Sequence, residues 1–307
     1  MRGRPVIVLA AALSARQAMR RLSHRYGRPP RRPLPGRQPP ADAVDVAVRV
    51  NARTVRGWFL PSAPACVPGP AALVMHGWGS SAADMLPAAT PLRDAGLRVL
   101  LLDARCHGRS DDDEFASMPR FAEDVAAGLA WLRRHPDVDC SRIVLVGHSV
   151  GAGACLLVAS RDHGVAAVVS IASMAHPEVF MRRTLRRRLP APLTRLALRY
   201  LERTIGQRFD TFAPVNTIGR VRSPVLLLHG GRDTTVPVED AYALQARAGG
   251  RARIHVVPAA DHGGSDALAE AAPALLAFLR DARVVDDSAD ASGLERRGQS
   301  RSSSTSR

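Results

Sequence analysis

The pentapeptide Gly147–Gly151, with the sequence Gly-His-Ser-Val-Gly, contains a serine in a setting that could make it a nucleophile. The apolar run Ile143–Val146 before it predicts a buried strand, and the small apolar residues 152–159 after it predict a packed helix. In such a strand–turn–helix unit the serine hydroxyl projects clear of the sheet, and flanking glycines leave room for the sharp turn. Backbone N–H groups and the partial positive charge of the helix N-terminus would then lie close to Ser149 and favour a developing oxyanion.

Ser149 needs partners before it can react. A serine hydroxyl is a poor nucleophile at neutral pH, so it requires a base, and the base requires a group that orients it. Without such partners the pentapeptide would equally fit a glycine-rich turn with no chemistry. Asp233 follows the strand-like run 225–228, and His262 follows the strand-like run 253–257. Because the carboxyl ends of parallel strands meet at one edge of an open α/β sheet, we expect Ser149, Asp233 and His262 to converge there.

Both partners have competitors in the sequence. The chain contains 10 histidines, and His262 alone follows the last predicted strand in the order serine, acid, histidine. A solvent-facing loop histidine is the alternative role for His262. His229 and His255 lie at or in predicted strands, where a structural hydrogen bond is the expected role. Asp261 competes with Asp233, but adjacent residues rarely orient each other's side chains, so Asp233 is the expected partner of His262.

A glycine turn at His76–Ser80, with the sequence His-Gly-Trp-Gly-Ser, follows the strand-like run 71–75. Backbone N–H groups in such a turn can point at a substrate carbonyl oxygen. We therefore expect the N–H groups of Trp78 and Val150 to form an oxyanion hole. The Trp78 ring is either a core aromatic beneath the turn or a wall of the acyl pocket, and these two roles are compatible.

Five motifs resemble the landmarks of the α/β-hydrolase superfamily and follow one another in the same order. They are HGWG at 76–79, DARCHGRS at 103–110, GHSVG at 147–151, GGRD at 230–233 and DHG at 261–263. The second motif is similar to the loop after the fourth strand in esterase, lipase and serine-aminopeptidase-like members. The resemblance implies an α/β-hydrolase fold, with a mostly parallel sheet of about eight strands, helices on both faces and a helical cap insertion. It also implies a serine hydrolase, without naming a substrate.

Cys106 departs from this pattern, because glycine is commoner at its position. Dienelactone-hydrolase-like relatives use a cysteine as the nucleophile of the elbow, but this chain has Ser149 there. Cys106 is therefore expected to be a small residue near the site and not a nucleophile. Together with Trp78 and His148, it is a predicted residue of the substrate pocket.

The expected reaction is hydrolysis of a carboxylic ester through an acyl-enzyme on a Ser-His-Asp triad, with a small-molecule acyl substrate as the partner. A thioester or a peptide is the next alternative, and a catalytically idle protein that binds a ligand or a membrane is the alternative from another class. None of these reactions needs a metal or an organic cofactor, so we expect neither. The consecutive acids Asp111–Glu114 cannot easily close on one ion. They predict a solvated loop or an acidic cluster that faces the cap.

A length of 307 residues, 46% of them hydrophobic, suits one large α/β domain with appendages. We expect a basic segment and Pro-rich linker at 1–41, a hydrolase domain at 42–283 with its cap at about 176–215, and a disordered tail at 284–307. The four cysteines form neither a metal-ligand cluster nor a disulfide framework, so a reducing compartment is the default.

The net charge of +15 is concentrated in two segments, and all 43 basic residues are arginines. Residues 1–40 contain ten arginines and no acidic residue. The apolar stretch 6–13 within them is too short to span a bilayer. It predicts a basic amphipathic helix on an anionic membrane, an export signal or a disordered start. We expect a cytoplasmic protein, with peripheral membrane contact through this segment or export as the open alternatives.

The second basic segment, 178–208, contains nine arginines against two glutamates and lies where the resemblance places the cap. Helical periodicity puts its apolar and basic residues on different faces. The apolar row is Leu193, Ala197, Leu201 and Ile205, and the basic row is Arg195, Arg199 and Arg203. The basic face either attracts acidic substrates or lipid, or it is a solvated surface of an arginine-rich protein. Nucleic-acid binding is not expected, since both basic segments are poor in aromatic residues.

Overall fold

The structure is a computed structural model that describes residues 27–31, 36, 38–62, 67–263 and 270–286. Residues 1–26 of the basic segment predicted at 1–41 lie outside this part of the chain, as do residues 287–307 of the disordered tail predicted at 284–307. Val284 and Val285, at the start of that tail, are described and buried. Within the described residues, no helix is long and apolar enough to cross a membrane.

Eight strands of the described residues form one sheet. They are β1 (Val44–Val50), β2 (Arg53–Leu60), β3 (Gly69–Met75), β4 (Arg98–Asp103), β5 (Val138–His148), β6 (Ala167–Ile171), β7 (Val225–Gly230) and β8 (Ala252–Val257). Their order across the sheet is β1-β2-β4-β3-β5-β6-β7-β8. β1 pairs antiparallel with β2, and β2 with β4, while all the other neighbours are parallel. The predicted mostly parallel sheet is confirmed.

The helices connect the strands and cover the sheet. The α-helices that lie wholly within the described residues are α1 (Leu86–Asp94), α2 (Met118–Leu132), α3 (Val150–Ala159), α4 (Pro177–Arg186), α5 (Ala191–Ile205), α6 (Phe209–Phe212), α7 (Pro214–Thr217), α8 (Val238–Arg247) and α9 (Ala272–Asp281). Single 3₁₀ turns precede α1 and follow α7.

Two buried apolar layers lie on opposite faces of the sheet. One layer contains Leu73 and Leu145 together with side chains of α2, α3 and α8, and the other contains Val74 and Val146 together with side chains of α1 and α9. Successive residues of β3 and β5 thus enter opposite layers, as the period of a strand requires. Both faces are covered, which explains why these strands are continuously apolar. The carboxyl ends of the parallel strands share one edge, where the candidate site residues follow.

Helices α4 to α7, here called the cap helices, lie in the chain between β6 and β7, where a cap was predicted. The buried residues of α5 are Thr194, Ala197, Leu198 and Leu201. Leu193, which was predicted to pack in this row, is instead 51% exposed. Residues 191–193 are all exposed, and Thr194 is the first buried residue of α5.

Candidate active site

Ser149 lies in a strained turn between β5 and α3. Its φ of 54° and ψ of −118° lie outside the regions that non-glycine residues normally occupy, at a cost of roughly 1–3 kcal/mol that the surroundings must offset. A Cβ atom on Gly147 would lie 2.4 Å from the carbonyl oxygen of Gly151, and one on Gly151 would lie 2.4 Å from that of His76. Close approach of the backbone therefore requires both glycines, and it holds Ser149 at the tip of the turn.

The structure brings Ser149, His262 and Asp233 into one hydrogen-bonded series at the carboxyl edge of the sheet. The Nε2 atom of His262 is 3.1 Å from Ser149 Oγ, and its Nδ1 atom is 2.7 Å from Asp233 Oδ2. When Nδ1–H donates to the carboxylate, the lone pair of Nε2 faces the hydroxyl, which donates to it. This is the tautomer that a general base beside a serine needs.

The competing residues make different contacts. His229 Nε2 lies 2.8 Å from a backbone carbonyl oxygen in the turn that follows β7, and 3.6 Å from Asp233 Oδ2. Asp261 Oδ1 accepts a backbone N–H two residues further along the chain, at 2.7 Å. His255 lies within β8, two residues before the end of that strand. The geometry therefore favours His262 and Asp233.

Asp233 is held in its ionised form. Burial acts to raise its pKa, but hydrogen bonds from His262 and from the backbone N–H groups of Val236 and Thr235 outweigh burial and hold the pKa below its usual value. Its Oδ1 atom accepts both N–H groups at 2.8 Å, which leaves Oδ2 for the imidazole. A carboxylate fixed in this way stays charged at neutral pH and can stabilise positive charge on His262.

His148 supports the candidate base, a role that the sequence did not reveal. It lines the cavity, as predicted, but its Nε2 atom also lies 2.8 Å from the carbonyl oxygen of His262. Burial, followed by the proximity of His262, lowers the pKa of His148 to about 4. A neutral His148 can donate its Nε2–H to that carbonyl and so anchor the His262 loop. The two residues are 114 positions apart, so no local pattern could indicate this contact.

The residues predicted to form an oxyanion hole stand beside Ser149. Val150 is the first residue of α3, so its N–H has no acceptor within the helix. Gly77 packs on the serine turn, since a Cβ atom there would lie 3.3 Å from Ser149 Cβ. Trp78 follows Gly77, and its ring is 40% exposed and lines the cavity. These positions are compatible with two N–H donors next to one reacting carbonyl.

An apolar cavity of about 680 Å³ opens over Ser149. Trp78, Met85 and Phe115 contribute to its walls. The cap helices contribute apolar side chains to its roof. They include Phe180, Met181, Leu201, Ile205, Phe209 and Phe212. The volume is in the range of small-molecule sites, and the lining suits a hydrocarbon acyl group.

Cys106 does not line this cavity, so the structure corrects its prediction as a pocket residue. It lies on a separate cavity of about 240 Å³ beside Pro29 and Arg31. The backbone of Cys106 has a φ of 66°, and its Sγ atom accepts a hydrogen bond from the N–H of Asp113 at 3.2 Å. This turn and this contact hold the thiol on the Asp113 side. Burial also raises the pKa of the thiol, which opposes a nucleophilic role.

Two further histidines brace the turn that contains Trp78. His76 Nε2 accepts the N–H of Ala104 at 2.9 Å, and His76 Nδ1 lies 2.6 Å from the carbonyl oxygen of Gly77. The rings of His76 and His107 have centroids 5.0 Å apart. Burial lowers the pKa of His76 to about 4 and that of His107 to about 3. Both side chains are therefore neutral at neutral pH, and they act through packing and hydrogen bonds.

The acidic run Asp111–Glu114 does not face the cap, so that alternative is wrong. Asp112 pairs with Arg31 at 2.9 Å, and Asp113 pairs with Arg105 at 3.1 Å. The run meets the N-terminal linker and the core because the loop after β4 folds back across the domain. In the described ranges, no group of three or more His, Cys, Asp or Glu side chains could hold a metal ion.

Comparison with known proteins gives matches over most of the chain. A model of the alpha/beta hydrolase family matches residues 72–277. An uncharacterised protein of Mycobacterium tuberculosis is 30% identical over 244 residues, which cover 77% of this chain and 80% of that protein. A polyketide transferase of Aspergillus fumigatus is 34% identical over 125 residues, which cover 40% of this chain and only 42% of the transferase.

A solved structure is similar across nearly its whole length. The esterase Pf2001 of Pyrococcus furiosus superimposes with a TM-score of 0.64 at 22% identity, covering 82% of this chain and 98% of the esterase. At 22% identity, this similarity shows that the two proteins share a fold.

Proposed function

The chain belongs to the α/β-hydrolase family, and from this premise we propose that it is a serine hydrolase of carboxylic esters. The observation that carries the proposal is the hydrogen-bonded series of Ser149, His262 and Asp233 at one end of an apolar cavity. A protein that only binds a ligand has no need of a hydroxyl, an imidazole and a carboxylate in this order. Their arrangement therefore favours catalysis over the idle, ligand-binding alternative.

In the first half-reaction, Ser149 attacks the acyl carbonyl while His262 Nε2 accepts the hydroxyl proton. The new C–O bond moves the carbonyl electrons onto oxygen, and the N–H groups of Trp78 and Val150 bind this oxyanion. The imidazolium, stabilised by Asp233, then donates its proton to the leaving alcohol oxygen. The alcohol departs, and the acyl group remains bonded to Ser149 Oγ.

In the second half-reaction, a water molecule takes the place of the alcohol. His262 accepts a proton from this water as it attacks the acyl-enzyme, and the same oxyanion hole binds the second tetrahedral intermediate. Collapse of the intermediate breaks the bond to Ser149 Oγ, which recovers its proton from His262. The products are a carboxylic acid and an alcohol, and the steps require no metal or organic cofactor.

The cavity favours an ester or thioester of a hydrocarbon acid over a peptide. Its mostly apolar lining offers few partners for the N–H and C=O groups of a peptide backbone. Each methylene group buried in such a lining contributes about 0.8 kcal/mol. The length of the acyl chain should therefore govern kcat/KM until the cavity is full. A thioesterase activity on the same triad is the alternative within this class.

The test is turnover of p-nitrophenyl esters of graded acyl length by the wild type and by Ser149→Ala. We expect the variant to lose at least 10³-fold in kcat, since it lacks the nucleophile. The matched control is Ser80→Ala, because Ser80 also lines the cavity but hydrogen-bonds to Asp84. The control should stay within about threefold of the wild type. Full activity of Ser149→Ala, or no turnover of any ester or thioester by the folded wild type, would overturn the proposal.

A further inference from the structure

The outer face of the cap presents a cluster of arginines, here called the cap arginine surface. All of its side chains are exposed. They are Arg182, Arg183 and Arg186 on α4, Arg187 and Arg188 in the following turn, and Arg195, Arg199 and Arg203 on α5. The spacing of three or four residues puts most of them on the solvent side of the two helices.

Almost none of this charge is neutralised by the protein. Within the described residues, Arg182 alone of the cap arginine surface has an ion pair, with Glu178. The other acidic residue of the two long cap helices, Glu202, accepts the backbone N–H of Phe209 at 2.9 Å. The surface therefore has a high density of unpaired positive charge, which an anionic partner can neutralise.

Exposed apolar side chains are interleaved with these arginines. Leu193 is 51% exposed, and Leu196 is 55% exposed. Leu196 precedes Arg199 by three residues, so the two side chains share one face of α5. Val179 is likewise exposed, on α4. A helix that presents arginines and bare leucines together to solvent has the composition of a membrane-surface helix.

A cleft between α4 and α5 gathers three of the arginines. It has a volume of about 230 Å³ and is lined by Arg182, Arg186, Ala191, Thr194 and Arg195. Guanidinium groups bind phosphate oxygens through paired N–H donors, so several of them around one cleft suit a phosphate group. Arg186 and Arg195 have no carboxylate partner in the part of the chain that the structure describes.

The same two helices form the roof of the substrate cavity. Phe180 and Met181 of α4, and Leu201 and Ile205 of α5, line the cavity from the inner face of the cap. A partner bound to the outer face of α4 and α5 would therefore be separated from the cavity only by this layer of two helices. Docking there would hold a source of acyl substrates one helical layer away from the cavity.

We propose that the cap arginine surface docks the protein on an anionic phospholipid surface. A headgroup phosphate occupies the cleft between Arg186 and Arg195, and Leu193 and Leu196 enter the interfacial region of the bilayer. The lipid surface accounts for both the charge and the apolar side chains.

The experiment measures flotation of the full chain with phosphatidylcholine vesicles that contain or lack phosphatidylglycerol. The test variant is Arg186→Ala/Arg195→Ala. The matched control is Arg161→Ala/Arg247→Ala, which removes the same charge from exposed positions away from the cap. Each arginine near an anionic surface contributes about fivefold to partitioning, so the test variant should lose roughly tenfold or more. The control should stay within about twofold of the wild type.

A second variant tests the leucines. Leu193→Ser/Leu196→Ser should weaken vesicle binding most at high salt, where screening removes the contribution of charge. Equal losses in the cap pair and the control pair would overturn the proposal, because they would show a response to net charge alone. Binding to polyglutamate but not to vesicles would also overturn it, in favour of an acidic protein partner. Turnover of a soluble short-chain ester should be unchanged in every variant, which shows that the fold is intact.

Discussion

The floor and the roof of the candidate active site are held by different forces. On the floor, Ser149, His262 and Asp233 are fixed by hydrogen bonds and by a turn so tight that Gly147 admits no side chain. The roof consists of α4 and α5, whose inner face contributes mainly apolar contacts to the cavity. We therefore expect the floor to set the chemistry with little tolerance for substitution, and the roof to determine which acyl groups fit.

Arginines of the core and of the cap differ in their exposure and in whether they have carboxylate partners. The Arg105 side chain is 3% exposed and reaches Asp124 at 2.6 Å, with further pairs to Asp113 and Glu123. Arg186 and Arg195 on the cap are exposed and lack any carboxylate partner among the described residues. Arg105 therefore serves the fold, whereas Arg186 and Arg195 are available to a partner outside it.

The largest expected effect concerns the floor. Asp233→Asn should lower kcat by about 10⁴-fold, because the amide no longer fixes the tautomer of His262 or stabilises its positive charge. Asp261→Asn is the control, since its hydrogen bond to the Gly263 N–H survives with an amide oxygen. Steady-state turnover of one ester by both variants measures the difference. Comparable losses in the two variants would return Asp261 to consideration as the orienting acid.

The next effect is on stability, and it should distinguish the buried, paired Arg105 from the exposed, unpaired Arg186. Arg105→Ala should lower the free energy of unfolding by about 3–5 kcal/mol, because it leaves the buried carboxylate of Asp124 without its partner. Arg186→Ala should change it by less than about 0.5 kcal/mol, as expected for an exposed side chain. Urea unfolding of both variants provides the comparison. A cap variant that is as unstable as the core variant would show that the cap arginines hold the fold.

Acid should lower the free energy of unfolding, because three neutral histidines are buried around the floor. Burial lowers the pKa values of His76, His107 and His148 to between about 3 and 4. The unfolded chain therefore binds protons first as the pH falls below 6.5, and stability is lost between pH 6.5 and about 3 to 4. The loss should be about 2 kcal/mol per histidine by pH 5. A midpoint of unfolding that stays flat from pH 7 to pH 5 would contradict the neutral burial of these side chains.

The smallest effect concerns the roof. Ile205→Trp should fill part of the cavity, so that kcat/KM for the longest acyl chains falls roughly tenfold while short esters are little affected. Leu196→Trp adds the same bulk to the outer face of α5 and should leave the preferred chain length unchanged. The ratio of kcat/KM for a long and a short ester in each variant measures the effect. A change in this ratio in the Leu196 variant alone would contradict the proposal, because it would place the acyl group on the outer face of α5.

The fold and the three central residues could be predicted because local patterns determine them. A strand, a glycine turn and a small-residue helix place Ser149, and chain order places Asp233 and His262 at the same sheet edge. Eight strands were expected and are found. These features depend on short-range sterics and on apolar periodicity, both of which can be recognised from the sequence alone.

The remaining contacts join residues that are distant in the chain and follow no period. The hydrogen bond from His148 to the His262 carbonyl, and the ion pair from Arg31 to Asp112, depend on how loops fold over the finished domain. The same holds for Cys106, whose turn carries the thiol to a different cavity. Periodicity also placed Leu193 in the packed row, although Leu193 is exposed and the buried residue of that turn is Thr194.

The most direct test of the Ser149 nucleophile is labelling of the folded protein with a fluorophosphonate, followed by mass spectrometry of its peptides. A nucleophile activated by His262 and Asp233 predicts one covalent adduct, on Ser149, that His262→Ala abolishes. An adduct on another residue, or no adduct on the folded wild type, would contradict the assignment of Ser149, His262 and Asp233 as a catalytic triad.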